Sequence, residues 1–326
     1  MKIASFFSGG GGLDLGFHLA GFQTIWANEY DKTIWATFRK NFPDAHLETR
    51  SLTELSFSEL PSGVDGFIGG PPCQSWSAGG AKRGIEDPRG QLFFDYIKMI
   101  KGYQPRFFLA ENVPGILAPR NEEAFERILG RFQDIGYDVS YKQLNAYDYG
   151  VPQDRKRVII IGMRKDLEIK FDFPEPSGLK LDLRSSISDL PEPKSCVGNE
   201  ANDFADEELQ NHEYMLGGFS SMYMSRNRVR GWDEPSFTIQ AGGRHAPLHP
   251  QAPKMVKVGE DKFEFVQSEL SLYRRLSVRE CARIQTFPDS HIFIYNRILD
   301  GYKMIGNAVP VELSRHLASA IKAQLS

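Results

Sequence analysis

Lys2-Ile3-Ala4-Ser5-Phe6-Phe7 is a short apolar run that breaks at once into Ser8-Gly9-Gly10-Gly11-Gly12. Leu13-Asp14-Leu15-Gly16-Phe17-His18-Leu19-Ala20 then takes up a helical rhythm before Gly21. A strand, a glycine loop and a helix in that order form the opening of an α/β unit. Glycines there let the backbone approach a ligand and let the helix start tightly. Outward from this stretch the alternation repeats. Residues 24–27 read as a strand ending in Asn28-Glu29, 30–41 as a helix, and 64–68 as a further strand broken by Gly69-Gly70-Pro71-Pro72. Residues 91–101 and 122–133 read as helices, 107–110 and 158–161 as buried strands. Such alternation, with polar residues at strand C-termini, predicts a doubly wound, Rossmann-like parallel sheet. Ligands then bind outside the carboxyl ends of its strands.

The composition fits this α/β reading. The 326 residues are 41% hydrophobic and 25% charged, which excludes a disordered or fibrous chain. That length predicts one large domain and a smaller second unit. A net charge of -3 excludes a polyelectrolyte coat for nucleic acid, though not a local basic patch. Three cysteines argue against a disulfide framework and fit a reducing cytoplasm. No apolar run nears the ~20 residues a membrane helix needs, and the N-terminus is a strand rather than a signal peptide. A cytoplasmic protein with no membrane contact and no metal site is expected. From about residue 171 the pattern changes: prolines 174, 176, 191 and 193 punctuate it, 203–208 is acidic, and 211–253 is rich in Gly, Arg, His and aromatics. This predicts an irregular second domain over 176–274. Helices return at 278–285 and 311–325, so 275–326 is expected to rejoin 1–175 in a discontinuous first domain.

Four features carry chemistry. The glycine loop lacks the third glycine of a dinucleotide fingerprint: that position is Asp14 counted from Gly9, and Leu15 counted from Gly10. S-adenosylmethionine, with its ammonium and sulfonium groups, suits this loop better than NAD. Glu29 at the end of the second strand can accept from both ribose hydroxyls; a plain glycine turn is the alternative for the loop taken alone. Cys73 lies in Gly69-Gly70-Pro71-Pro72-Cys73-Gln74-Ser75-Trp76-Ser77, where two prolines fix the approach of a thiol just past a strand. A lone cysteine is most often an inert small hydrophobe, and Cys196 and Cys281 are read that way. Glu111 in Phe108-Leu109-Ala110-Glu111-Asn112-Val113-Pro114 follows an apolar strand directly, a poorly solvated place for a carboxylate. Gln153-Asp154-Arg155-Lys156-Arg157 enters the next strand and in isolation would be a solvated charge run.

Taken in order, Phe-x-Gly-x-Gly, Pro-Pro-Cys-Gln, Glu-Asn-Val and Gln-x-Arg-x-Arg resemble the DNA (cytosine-5)-methyltransferases. Arg279-Glu280-Cys281-Ala282-Arg283-Ile284-Gln285-Thr286-Phe287-Pro288 and Gly306-Asn307-Ala308-Val309-Pro310 match that family's last two blocks. The region from Asn211-His212-Glu213-Tyr214 to His249-Pro250-Gln251-Ala252-Pro253 resembles the target-recognition part of bacterial GGCC-specific enzymes of the HaeIII type. Ser225-Arg226-Asn227-Arg228-Val229-Arg230 and Gly243-Arg244 carry most of that likeness.

The resemblance implies methyl transfer from S-adenosylmethionine to carbon 5 of cytosine, leaving S-adenosylhomocysteine. Cys73 would be the nucleophile and Glu111 the donor to N3; Arg155 would hold O2 and Arg157 support the loop. Phe7, Gly9, Gly11, Leu13, Asn28, Glu29, Ser51, Pro72, Asn307 and Val309 would hold the cofactor. Ser51 stands where the family has an Asp for the adenine amino group, with Asp44 or Glu48 as substitutes. Gln74, Ser75 and Ser77 would grip the DNA around an extruded base. Between Tyr214 and Lys254 five basic residues stand against two acidic ones. There Arg226, Arg228, Arg230 and Arg244 are expected to read guanine edges, and Arg274, Arg275 and Lys303 to meet phosphates. Double-stranded DNA and a companion restriction endonuclease are the implied partners, with a monomer acting on DNA. An RNA cytosine methyltransferase sharing Pro-Pro-Cys, or a catalytically silent sequence-specific DNA-binding regulator, are the other readings. An intact Cys73, Glu111 and Arg155 set argues against the regulator.

Overall fold

The computed structural model describes residues 1–72, 88–202 and 209–326. Contacts divide the chain into two units: Met1–Asn145 with Lys156–Pro176 and Leu313–Ser326, and Ala146–Arg155 with Ser177–Glu312. Residues 275–312 thus group with the second unit, and the chain returns to the first at Leu313.

The first unit is built on a seven-stranded sheet. Its strands are β1 (Lys2–Phe6), β2 (Gln23–Asn28), β3 (His46–Glu48), β4 (Gly66–Gly69), β5 (Phe107–Asn112), β6 (Tyr137–Asn145) and β7 (Lys156–Arg164), in the order β3-β2-β1-β4-β5-β7-β6. The first five run parallel. Helices α1 (Gly12–Leu19), α2 (Trp35–Asn41), α3 (Pro88–Tyr103) and α4 (Glu122–Asp134) alternate with the strands, and α8 (Val311–Leu325) supplies the last helix. Central strands are buried on both faces, so their sequences are continuously apolar rather than alternating. Aromatic rings fill the space beside them: Phe6 lies against Trp26, Phe67 and Tyr96, and Phe108 stacks on Phe132. The order reverses between β1 and β4, so the loops after those two strands flank the crevice where such sheets bind ligands.

Three local readings change. β7 pairs antiparallel with both β5 and β6, so the sheet is mostly parallel with an antiparallel edge. β3 is too short, and the edge strand β6 too exposed and polar, to show a strand pattern in the sequence. The helix expected from residue 30 begins at Trp35, because the Asp31 carboxylate accepts from the amide and hydroxyl of Thr33 and forms a turn instead.

The second unit contains α5 (Leu183–Ile187), β8 (Lys194–Cys196) paired with β9 (Glu213–Met215), and β10 (Val256–Gly259) paired with β11 (Lys262–Glu264). Helices α6 (Val278–Ile284) and α7 (Ile298–Asn307) follow. A small core of Tyr223, Val229, Leu248, Ala252, Met255 and Tyr273 holds the irregular chain between residues 219 and 273. Ser277 and Glu280 form a reciprocal cap at the start of α6.

Candidate active site and nucleic-acid interface

In the first unit the loop after β1 is shaped by its backbone. Phe7 and Gly9 have φ of 54° and 57°, and Gly11, at 83°, caps α1. A Cβ on Gly11 would lie 2.3 Å from the Phe42 ring, so both conformation and space require glycine. Glu29 braces the loop: one carboxylate oxygen accepts from the Gly9 amide at 2.9 Å, the other from the Asp31 amide at 2.7 Å. Asn28 is buried, and its amide donates to the carbonyls of Glu48 and Arg50, fixing the segment after β3. Leu13 is buried and its carbonyl accepts from the Ser314 hydroxyl at 2.8 Å. Ser51 caps a short turn, taking the Thr53 amide and sharing a hydrogen bond with the Thr53 hydroxyl. Glu48 pairs with Arg50, whose hydrogen bonds hold its carboxyl down at about 2. Phe7, Gly9, Gly11, Leu13, Asn28, Glu29 and Ser51 thus belong to one unit, and Glu29 ties the glycine loop to the end of β2. A loop of glycines without Cβ atoms beside a carboxylate at the end of β2 is an arrangement that fits a nucleoside cofactor.

The loop after β4 runs beside the end of β5. The Asn112 side chain donates to the Pro71 carbonyl at 3.2 Å, and a Cβ on Gly70 would lie 3.1 Å from a Glu111 carboxylate oxygen. Pro72 follows directly. Cys73, Gln74, Ser75 and Ser77 lie outside the described residues. Glu111 is 8% exposed and forms an ion pair with the Arg157 guanidinium at 2.7 Å. The carboxylate expected to stand poorly solvated is therefore matched by a cation from β7, one strand away.

The two arginines of the 153–157 segment separate. Arg157 lies in β7 on Glu111, whereas Arg155 belongs to the second unit and is fully buried. Its guanidinium donates to the carbonyls of Ile239, Gly306 and Ala308 at 2.8–2.9 Å. Arg157 is thus the guanidinium at the Glu111 carboxylate, and Arg155 braces the backbone around Gly306. Asn307 is the exposed last residue of α7 and Val309 is buried; both lie in the second unit.

The arginines expected to meet DNA divide in the same way. Arg226 and Arg244 are exposed. Arg228 is buried, donating to the carbonyls of Tyr223 and Met222 with its guanidinium 4.6 Å from the Tyr223 ring centre. Arg230 lies over Phe237 between the carboxylates of Asp154 and Glu234. Arg274 and Arg275 are not phosphate contacts: both are buried, Arg274 gripping Glu280 with two hydrogen bonds and Arg275 donating to the carbonyls of Met215, Gly217 and Gly218. Lys303 pairs with Asp300. A cavity of about 310 Å³ is lined by Asp154, Arg226, Arg228, Gln240 and His245 among others. The imidazole of His245 is pushed below its ordinary value by burial, and further by the cations of Arg228, Arg275, Arg226 and Arg244. That places an electropositive spot at the cavity. His245 was missed in the sequence, although its place directly after Gly243-Arg244 marks it. Asp154, the acidic residue inside a basic run, also lines the cavity.

No helix among the described residues is long and apolar enough to cross a membrane. The model of the C-5 cytosine-specific DNA methylases matches residues 1–323. The chain is 58% identical over 325 residues to the Type II methyltransferase M.MthTI of Methanothermobacter thermautotrophicus, covering 100% of this chain and 98% of that one. It is 55% identical over 331 residues to the Type II methyltransferase M.NgoPII of Neisseria gonorrhoeae, covering 100% and 96%. Among solved structures, the Entamoeba histolytica methyltransferase EhMeth superposes with a TM-score of 0.73 at 16% identity, covering 100% and 99%, a likeness of fold. Full-length identity of this degree, on an α/β sheet with its glycine loop and Glu111–Arg157 pair, places the chain in the C-5 cytosine-specific DNA methylase family as a DNA (cytosine-5)-methyltransferase.

Proposed function

We propose that the chain methylates carbon 5 of cytosine in duplex GGCC, as the modification partner of a restriction endonuclease. It would act as a monomer on DNA in the cytoplasm, with S-adenosylmethionine as donor. The observation that carries the chemistry is the Glu111–Arg157 pair at the carboxyl end of the sheet, beside the Pro71-Pro72 turn that leads to Cys73. Phe7, Gly9, Gly11, Leu13, Asn28, Glu29, Ser51 and Pro72 would hold the cofactor, as would Asn307 and Val309, and when bound it would supply an electrophilic methyl group. The Cys73 thiolate adds to carbon 6 of the extruded cytosine, and the ring electrons move to carbon 5. Glu111, carrying a proton, would donate it towards N3, and Arg157 would hold both Glu111 and the O2 edge, so that the charge pushed into the ring is neutralised as it becomes an enamine. Carbon 5 would take the methyl group as that group's bond to the sulfonium breaks and the neutral thioether S-adenosylhomocysteine is released; carbon 5 would then lose its proton to a base, and Cys73 would leave as the double bond re-forms. Gln74, Ser75 and Ser77 grip the backbone around the gap. Target reading falls to 176–274, where Arg226 and Arg244 are exposed guanidinium groups suited to guanine O6 and N7.

The test is transfer of labelled methyl groups to duplexes carrying GGCC or single-base variants of it, with digestion to identify the modified base. Label on 5-methylcytosine in GGCC alone is expected. Label on adenine, on RNA alone, or equally on every variant would overturn the proposal.

A further inference from the structure

We propose that Arg230 acts as a positioning residue for methyl transfer through its ion pair with Asp154, and does not touch DNA. This rests on the DNA-reading role given above to the recognition stretch. Arg230 closes the same short arc that displays Arg226, yet its surroundings are of another kind. Its guanidinium lies 4.3 Å from the centre of the Phe237 ring. One terminal nitrogen is 3.3 Å from a Glu234 carboxylate oxygen and the other 3.3 Å from Asp154. Glu234 is itself fixed, accepting from the Gly231 amide at 2.7 Å and pairing with Lys254 at 2.9 Å. A cation matched by two carboxylates has little to offer a phosphate.

Asp154 belongs to a stiff segment. Its amide donates to the Ser236 carbonyl, and its own carbonyl accepts from the Thr238 hydroxyl. The Ser236 amide returns a hydrogen bond to the Pro152 carbonyl, and the buried Gln153 side chain accepts from the Ile239 amide. Residues 152–155 thus run as a strand-like partner to 236–239, with Gln153 and Ser236 in parallel bridge register. Asp154 also lines the cavity that holds Arg226, Arg228, Gln240 and His245. Three residues further along the chain Arg157 meets Glu111. The ion pair therefore joins the arc that displays Arg226 to the segment that leads into Arg157.

The experiment compares the full chain with Arg230→Ala, Asp154→Asn and the double variant. It measures duplex affinity across a salt series, the single-turnover methyl-transfer rate at saturating DNA, and base preference. Each single change is expected to slow transfer about 10-fold, and the double to be no slower than the worse single, since coupled groups are not additive. Affinity and its salt slope should hold within about 2-fold. A salt slope reduced by about one phosphate in Arg230→Ala would make Arg230 a DNA contact and overturn the proposal. So would additive losses, or a changed base preference in Asp154→Asn alone, which would make Asp154 a reader of the cytosine amino group. Failure of the DNA-reading role itself shows elsewhere, as an unchanged base preference in Arg226→Ala.

Discussion

The two units solve the same problem, satisfying buried backbone carbonyls, by different means. In the first, a seven-stranded ladder pairs them and aromatic and aliphatic side chains fill the space around it. The second has only two two-stranded sheets among its described residues, and there buried guanidinium groups take over the ladder's work. Arg155 serves three carbonyls, Arg275 three, and Arg279 those of Gln210, Pro288 and His291. An irregular chain leaves its carbonyls pointing in several directions, and a planar fork of five donors can gather them where an ammonium cannot. Arginine in the second unit is thus a structural residue as well as a charged one.

The sharpest way to break the comparison is Arg155→Ala. Three carbonyls lose their donor, at about 1–3 kcal/mol each, so a loss of roughly 5 kcal/mol is expected. Hydrogen exchange should show lost protection around Ile239 and 306–308, with β1 and β4 unaffected; Arg155→Lys should not rescue it. Equal loss in both units would show that the braces are not local to the second. A counterpart in the first unit is Asp14, fully buried beneath the hydroxyls of Ser5 and Thr24. Burial raises its carboxyl to about 6, with those hydroxyls opposing the rise. The folded chain therefore holds this proton where the unfolded chain has released it, and stability falls as pH climbs from about 4 to about 6. Asp14→Asn removes that slope. Its stability relative to the parent should improve by about 2–3 kcal/mol between pH 4 and pH 7, measured by urea unfolding at each pH.

The smallest effect on stability is expected from Arg226→Ala and Arg244→Ala. Exposed and not enlisted as braces, they should shift unfolding by less than about 0.5 kcal/mol. Each should nonetheless lose about 1–3 kcal/mol of discrimination between GGCC and single-base variants in competition binding. Arg228→Ala should do the reverse to the fold, since its guanidinium holds the carbonyls of Tyr223 and Met222.

The same contrast explains what the sequence disclosed. The glycine loop, the alternation of strands and helices, and the helix over 311–325 were legible because period and punctuation are local properties. Strand direction is not local: nothing in 156–164 says that β7 enters antiparallel, and β6 lacks a clean alternation because it is an exposed edge. Arg155 and Arg157 stand two apart, which on one strand would place them on one face. The strand starts at Lys156, however, so Arg155 falls outside it and the two serve different units. Arg274 and Arg275 misled for a related reason. A positive residue in a basic stretch announces charge, but not whether Glu280 or a set of carbonyls is waiting for it inside.

The return of the chain at Leu313 has a consequence for how the protein is made. Ser314 and Lys322 hold the carbonyls of Leu13 and Ala20 at either end of α1, and Arg106 donates to the carbonyl of Leu325. The strands of the first unit leave the ribosome early, but the helix that clasps α1 leaves only after the whole second unit. Throughout that interval the carbonyls of Leu13 and Ala20 lack their donors from α8, and translation stalled in the second unit yields a sheet without its last helix.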